Sequence, residues 1–323
     1  MTTPTILTIG TGGTISAVAD ARQRSGAGLS PAQIAASALG ADAGQVHLRS
    51  AEFSRIPGRA MRPTDMLALA TLIQASAGEC DGVVVTHGTD TLEETAFALA
   101  TMLDIGKPVI LTGAMRLPED PGSDGPGNVR TALAAAADPA TAPLGPLVAF
   151  HDELHFARWV AKTHTSKLAA FDSPDGPRAG LVTEGRVWLS RVPRPDDHLG
   201  LPKSLADLRV ELIWVAAGAD GYLVEQAAEA SDGLVVAGSG GGHTPPDLAD
   251  AIGRVVAAGT PVVIASRCGA GPTLDATYGG PGGEVHLRSV GALPAGRLHP
   301  LKARLRLLVA LAMGLAPHQV FPA

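Results

Sequence analysis

Compact apolar runs alternate with stretches whose apolar side chains recur every three or four positions. Thr5-Ile6-Leu7-Thr8-Ile9, Gly82 to Thr86 and Pro108 to Thr112 have the character of strands, whereas Thr91 to Leu103 and Val129 to Ala137 read as helices. Such alternation predicts a parallel sheet covered by helices. Within the first helical stretch Leu92, Ala96, Leu99 and Leu103 stand at i, i+4, i+7 and i+11 and make one apolar face. Glu93 and Glu94 occupy its polar face in the first turn, where the helix dipole favours negative charge. A solvated, dipole-matched role and a catalytic role are both open for them.

From Arg191 to Asp207 prolines and charges crowd between two patterned regions, the composition of an interdomain linker. The α/β alternation then resumes. Val210 to Ala216, Gly233 to Ala237 and Pro261 to Ala265 look like strands, separated by helix-like Leu223 to Ala230 and Pro246 to Ala258. The expected organisation is α/β in two domains: a larger N-terminal domain with a mainly parallel sheet over residues 1–190, a linker over 191–208, and a smaller C-terminal α/β domain over 209–323. No short-period repeat interrupts it.

Composition narrows the partners. The 323 residues are 46% hydrophobic, enough for two well-packed cores, and the formal net charge of −6 comes without a dense Lys/Arg block. That balance disfavours nucleic acid or an anionic membrane as the main partner and favours a small molecule. Cys80 and Cys268 are the only cysteines, too few for a disulfide framework and without zinc-ligand spacing, so each is expected to be a buried free thiol. Neither a metal nor an organic cofactor is expected. The start, Met1-Thr2-Thr3-Pro4, enters a strand-like run without a leader pattern, and the run from Leu305 to Leu315 is too short to cross a bilayer. The expectation is a cytoplasmic protein.

Two segments carry candidate chemistry. Gly10-Thr11-Gly12-Gly13-Thr14-Ile15 follows the first strand, and Thr86-His87-Gly88-Thr89-Asp90-Thr91 follows the second. Each places a threonine beside flexible glycine backbone at a strand end, the usual ligand site of an α/β sheet. A threonine hydroxyl is a nucleophile only with a base nearby and donors for the developing oxyanion. For Thr14, that chemistry, a plain tight turn and a phosphate cradle are all compatible with the pattern, although the segment lacks the third glycine of G-x-G-x-x-G. Asp90 suits a substrate ammonium or a helix N-cap. Lys162 is a base only if its surroundings lower its pKa, and otherwise an ordinary surface lysine.

The chain resembles the bacterial-type L-asparaginases. The resemblance runs through Thr14, through Thr86-His87-Gly88-Thr89-Asp90-Thr91 with Leu92-Glu93-Glu94-Thr95, through Leu111-Thr112-Gly113-Ala114-Met115-Arg116, and through Ser123-Asp124-Gly125-Pro126 with Asn128. It continues past Lys162-Thr163 to Ala237-Gly238-Ser239-Gly240-Gly241-Gly242-His243 and so covers most of the molecule in the expected order. It implies an amidohydrolase in which Thr14 attacks the side-chain amide carbon of L-asparagine to form an acyl-enzyme, with Thr89, Asp90 and Lys162 as a polar relay. Asp90 would also hold the substrate α-ammonium. It further implies a homotetramer of intimate dimers, with His243 and Glu284 of the C-terminal domain completing a neighbouring subunit's site.

Departures accompany the likeness. The lid that usually carries an activating tyrosine corresponds to Ser16 to Ser30, which has none; the only tyrosines are Tyr222 and Tyr278. Where the family commonly has a serine and a polar residue gripping the substrate's amino-acid end, this chain has Gly58 and Arg59. Gly58 offers only backbone N–H, while Arg59 either faces solvent or turns inward to pair with a carboxylate and repel an ammonium. The alternatives to an asparaginase are a glutaminase-asparaginase, a hydrolase of a related amide, a component of an amidotransferase, or an amino-acid-binding relative of low turnover.

Overall fold

The computed structural model describes residues 3–17, 28–39 and 44–321. The chain folds as two compact units, residues 1–198 and 199–323. In the first, parallel strands β1 (Thr5–Gly10), β2 (His47–Glu52), β3 (Gly82–Thr86), β4 (Val109–Thr112) and β5 (Leu147–Phe150) alternate with helices α1 (Pro31–Leu39), α2 (Pro63–Ser76), α3 (Leu92–Met102) and α4 (Gly125–Ala137). Antiparallel strand β6 (Glu153–Phe156) continues the sheet, β7 (Ala161–Lys162) and β8 (Phe171–Asp172) pair separately, and β9 (Arg178–Thr183) and β10 (Arg186–Leu189) finish it. The eight-stranded order is β10-β9-β6-β5-β4-β3-β1-β2.

That order places the functional crevice. From β1 the chain moves outward to β2, then returns to the other flank of β1 as β3 and proceeds away through β4 and β5. Strand order therefore reverses between β1 and β3, and α1 packs with α4 while α2 packs with α3. Loops leaving the two strands part toward opposite faces and open a crevice at their carboxyl ends.

Alternation of side chains along each strand fills both layers. Ile6, Val84, Ile110 and Leu147 pack with Ile34 of α1 and Val129 and Leu133 of α4, while the intervening Val83, Val85, Val109 and Leu111 are equally buried. Helix α4 starts at Gly125, earlier than the expected Val129, because Pro126 in the first turn needs no N–H partner. Helix α3 is buried nearly all round, and Glu93 with it. The solvated role open to Glu93 is therefore overturned: α3 is enclosed on more sides than its apolar spacing indicated.

The second unit holds a four-stranded parallel sheet in the order of the chain, β11 (Val210–Trp214), β12 (Gly233–Gly238), β13 (Val262–Ser266) and β14 (Leu293–Pro294). Helices α5 (Tyr222–Ala228), α6 (Pro246–Ala257), α7 (Glu284–Ser289), α8 (Pro300–Ala312) and α9 (Pro317–Val320) complete it. Its core joins Val224, Leu234, Val236, Leu248, Ile252 and Val262. The α/β architecture, with a larger mainly parallel sheet first and a smaller one after it, is the one the alternation predicted. Cys80 is buried as expected, but Cys268 is exposed, because it lies in the loop beyond β13 rather than in a packed element. Among the described residues no helix is long and apolar enough to cross a membrane.

Candidate active site

Gly10 at the end of β1 stands in register with Thr86 at the end of β3, so both strands leave the sheet at one level. Thr11 ties the two exits together: its N–H and its hydroxyl both donate to the Thr86 carbonyl, at 3.0 and 3.1 Å. Beyond it, Gly12 and Gly13 take φ of 105° and 88°, where a side chain is strained, and turn the chain into the short helical segment Thr14–Ser16.

Close backbone approach explains the glycines as much as dihedral freedom does. A Cβ on Gly13 would lie 2.4 Å from the Gly88 Cα, and one on Gly88 would lie 2.6 Å from the Gly58 nitrogen. Three loops, after β1, β2 and β3, thus meet backbone to backbone. The Thr91 hydroxyl locks the junction by donating to the Gly58 carbonyl at 2.7 Å. Gly58 is in this respect a packing requirement.

A cavity of about 570 Å³ opens beside this junction, and Thr14, Thr89, Asp90, Gly58 and Arg59 all line it. Lys162 on β7 is largely covered and reaches the same group: its Nζ donates to Thr89 Oγ1 at 2.9 Å and to Asp90 Oδ1 at 2.8 Å. The alternative of a free surface lysine does not hold. Nor does Asp90 cap α3, whose N-cap is Thr91 with no side-chain cap bond; the Asp90 carboxylate is turned to Lys162 instead. Beneath them the Lys162 backbone N–H donates to Glu93 Oε1 at 3.2 Å, while Glu93 Oε2 is buried and has no partner among the described residues.

His87 supports the Thr89 loop from within the core. Its Nδ1 lies 2.7 Å from the Gly88 carbonyl, which can only accept, so Nδ1 carries the hydrogen and Nε2 receives the Thr95 hydroxyl at 3.0 Å. Complete burial disfavours the charged ring and lowers its pKa to about 4, against a smaller upward effect of the Gly88 carbonyl. The ring is neutral near pH 7. A second bracket holds the loop after β4: Asp124 accepts from the backbone of Met115 and Arg116 and from Asn128, which also donates to the Gly113 carbonyl.

Sequence reasoning missed the ion pair of Glu52 and Arg55 on the cavity wall, joined by two contacts of 2.7 Å. Its hydrogen bonds hold the Glu52 carboxyl below its usual value. Glu52 ends β2 and Arg55 lies in the irregular chain just beyond it, where no periodic signal marks the pair. Glu93 was visible only as a helix-start acid; its enclosure depends on elements remote in sequence.

His243 and Glu284 are in the second unit and meet each other, Nε2 to Oε2, at 2.9 Å. Burial pushes the Glu284 carboxyl upward, but backbone N–H groups at Tyr278, Glu284 and Thr277 and the His243 ring outweigh it and hold its pKa below the usual value. Tyr278 sets its ring edge-on against His243, centroids 4.9 Å apart. The tyrosine-free lid stretch falls largely on residues 18–27, outside the described residues.

Comparison with known proteins places the chain among asparaginases. A family model described as "Asparaginase, N-terminal" matches residues 5–194, and one described as "Glutaminase/Asparaginase C-terminal domain" matches residues 209–321. The chain is 43% identical over 260 residues to a "Probable L-asparaginase" of Deinococcus radiodurans, covering 80% of each. It is 31% identical over 324 residues to "L-asparaginase 2" of Escherichia coli, covering 98% of this chain and 91% of that one. It is also 34% identical over 328 residues to a component of the glutamyl-tRNA(Gln) amidotransferase of Halobacterium salinarum, covering 96% and 75%.

Proposed function

The chain belongs to the asparaginase family, and on that premise we propose that it is an amidohydrolase converting L-asparagine to L-aspartate and ammonia through a threonine nucleophile. The observation that carries this reading is the shared cavity: Thr14 and Thr89 line it together with Asp90, and Lys162 bonds both Thr89 and Asp90.

Thr14 Oγ1 adds to the side-chain amide carbon, and the carbonyl oxygen takes up the negative charge. Backbone N–H groups of the glycine junction are the local donors suited to that oxyanion. Collapse breaks the C–N bond, the departing nitrogen takes the proton that Thr14 gave up and leaves as ammonia, and water then releases aspartate from the threonine ester, its second hydrogen returning to the Thr14 oxygen. Because the Thr89 oxygen already receives a hydrogen from Lys162, its own hydrogen is free to point into the cavity, which suits a relay between lysine and substrate. Asp90, with one oxygen on Lys162, keeps the other for the substrate α-ammonium.

Gly58 and Arg59 stand at the amino-acid end of the substrate in this reading. His243 and Glu284 serve a neighbouring subunit's site within a homotetramer, with a C-terminal α/β domain over 209–323 supplying them. The cytoplasm is the compartment that two unpaired thiols suit, one of them exposed.

The deciding experiment is ammonia release from L-asparagine by the intact protein and by Thr14→Val and Thr89→Val. Each substitution lowers kcat by at least about a thousandfold while circular dichroism is unchanged. Binding of asparagine without turnover by the unmodified protein sinks the reading. One methylene is worth about 1–3 kcal/mol in a pocket, so kcat/KM on asparagine and glutamine must be compared directly. The likeness to an amidotransferase component favours a second reading, in which activity requires a partner protein; turnover by the isolated chain excludes it.

A further inference from the structure

Building on the amide-hydrolysis reading, we propose that Arg59 turns this site toward ω-amides of dicarboxylic acids held chiefly by their free carboxylate, with the α-ammonium dispensable. The charged groups of the cavity wall point that way. Glu52 is paired with Arg55 at 2.7 Å, and Asp90 with Lys162 at 2.8 Å. Both carboxylates among the described wall residues thus already serve a protein cation. Arg59, an exposed residue, is among those lining the same cavity, and among the described residues no carboxylate lies within 4.0 Å of its guanidinium.

The base of Arg59 is firmly placed. It sits in the middle of the tight turn Gly58–Ala60, closed by Ala60 N–H to the Pro57 carbonyl at 2.8 Å and Met61 N–H to the Gly58 carbonyl at 3.0 Å. The same Gly58 carbonyl receives Thr91, one residue beyond Asp90, and Gly58 packs on Gly88. Arg59 is therefore anchored against the loop that carries Thr89 and Asp90, with a flexible stem to carry its head over the cavity.

The chemistry is asymmetric between the two ends of an amino acid. A planar guanidinium matches a carboxylate with two parallel hydrogen bonds and repels an ammonium. An incoming carboxylate meets a cation with no competing carboxylate among the described residues, whereas an incoming ammonium must share Asp90 with Lys162. Gly58 has no side chain to grip either group, so discrimination passes to its neighbour.

Two truncated amides separate the contributions: succinamate, which is asparagine without its amine, and β-alaninamide, which lacks the carboxylate. For the unmodified protein, kcat/KM for succinamate lies within about tenfold of asparagine, and that for β-alaninamide is at least about a hundredfold lower. Arg59→Gln raises KM for asparagine and succinamate about tenfold, leaves kcat nearly unchanged and narrows the gap to β-alaninamide, while Arg59→Lys falls between. Succinamate a hundredfold or more below asparagine, or Arg59→Gln without effect on its KM, overturns the proposal. If no amide is turned over, hydrolysis itself fails, and calorimetry still tests Arg59. Succinamate binding that weakens in Arg59→Gln while β-alaninamide binding does not supports it; equal effects on both overturn it.

Discussion

Lys162 Nζ donates to Thr89 Oγ1 at 2.9 Å across 73 positions of sequence. The bond fixes the direction of the threonine proton, since an oxygen that accepts from the lysine has its own hydrogen left for the cavity. Lys162→Met removes the donor while retaining most of the side chain's length and apolar stem. It is expected to lower kcat on asparagine by about a hundredfold to ten-thousandfold with little change in unfolding free energy, because the remaining Asp90 carboxylate is half exposed and can hydrate. Steady-state kinetics beside urea unfolding measures both; a kcat within a few-fold of the original removes Lys162 from the relay.

The glycine junction makes a steric prediction. A methyl group at Gly88 would press on the Gly58 nitrogen at 2.6 Å, and at Gly13 it would meet Gly88 in a backbone conformation that already disfavours side chains. Gly88→Ala and Gly13→Ala are each expected to cost about 1–3 kcal/mol of stability, since the obstruction is backbone, and to depress activity through displacement of Thr14 or Thr89. Gly78→Ala, with nothing within 4 Å, is the matched control and leaves both unchanged.

Acid stability follows from His87. Unfolded, the imidazole titrates near 6.5; folded, near 4. Between those values the unfolded chain binds a proton that the native state refuses, so native stability declines as pH falls through this window and the loss is complete below the folded pKa. It amounts to about 3 kcal/mol. His299, also lowered to about 4 by burial, acts in the same direction. Urea unfolding followed across the interval should therefore show a slope that His87→Gln reduces but does not abolish; an unaltered slope assigns the whole effect elsewhere.

Glu93 links Lys162 to the core. Replacement by leucine leaves the Lys162 backbone N–H without its acceptor and is expected to destabilise by about 1–3 kcal/mol and to lower kcat. Glu93→Gln keeps an acceptor there and is expected to recover most of both losses. Equal behaviour of the two variants in kinetics and unfolding contradicts this role.

The strand Gly82–Thr86 was legible to the residue, because a short valine run between a glycine and a turn segment has few other ways to fold. The start of α4 was not, since the helical spacing becomes visible only after Gly125-Pro126-Gly127 has already entered the first turn. The position of Glu93 misled for a different reason: a carboxylate on the polar side of a helix is exposed only if nothing covers that side, and here β7 does. Asp90 illustrates the same limit, as its local pattern fits a cap and its actual partner is Lys162.

Element type, the order of strands and helices in the chain, and the two glycine-flanked threonines were properties of the sequence by itself, because periodicity and turn chemistry act over a few neighbouring residues. Which strands lie side by side, and hence that Thr14 and Thr89 share a cavity and that Lys162 reaches Thr89 and Asp90, was decided only by the tertiary structure. The physical reason is that these contacts join segments far apart in the chain. They exist only once parallel strands have paired in the order that reverses between β1 and β3.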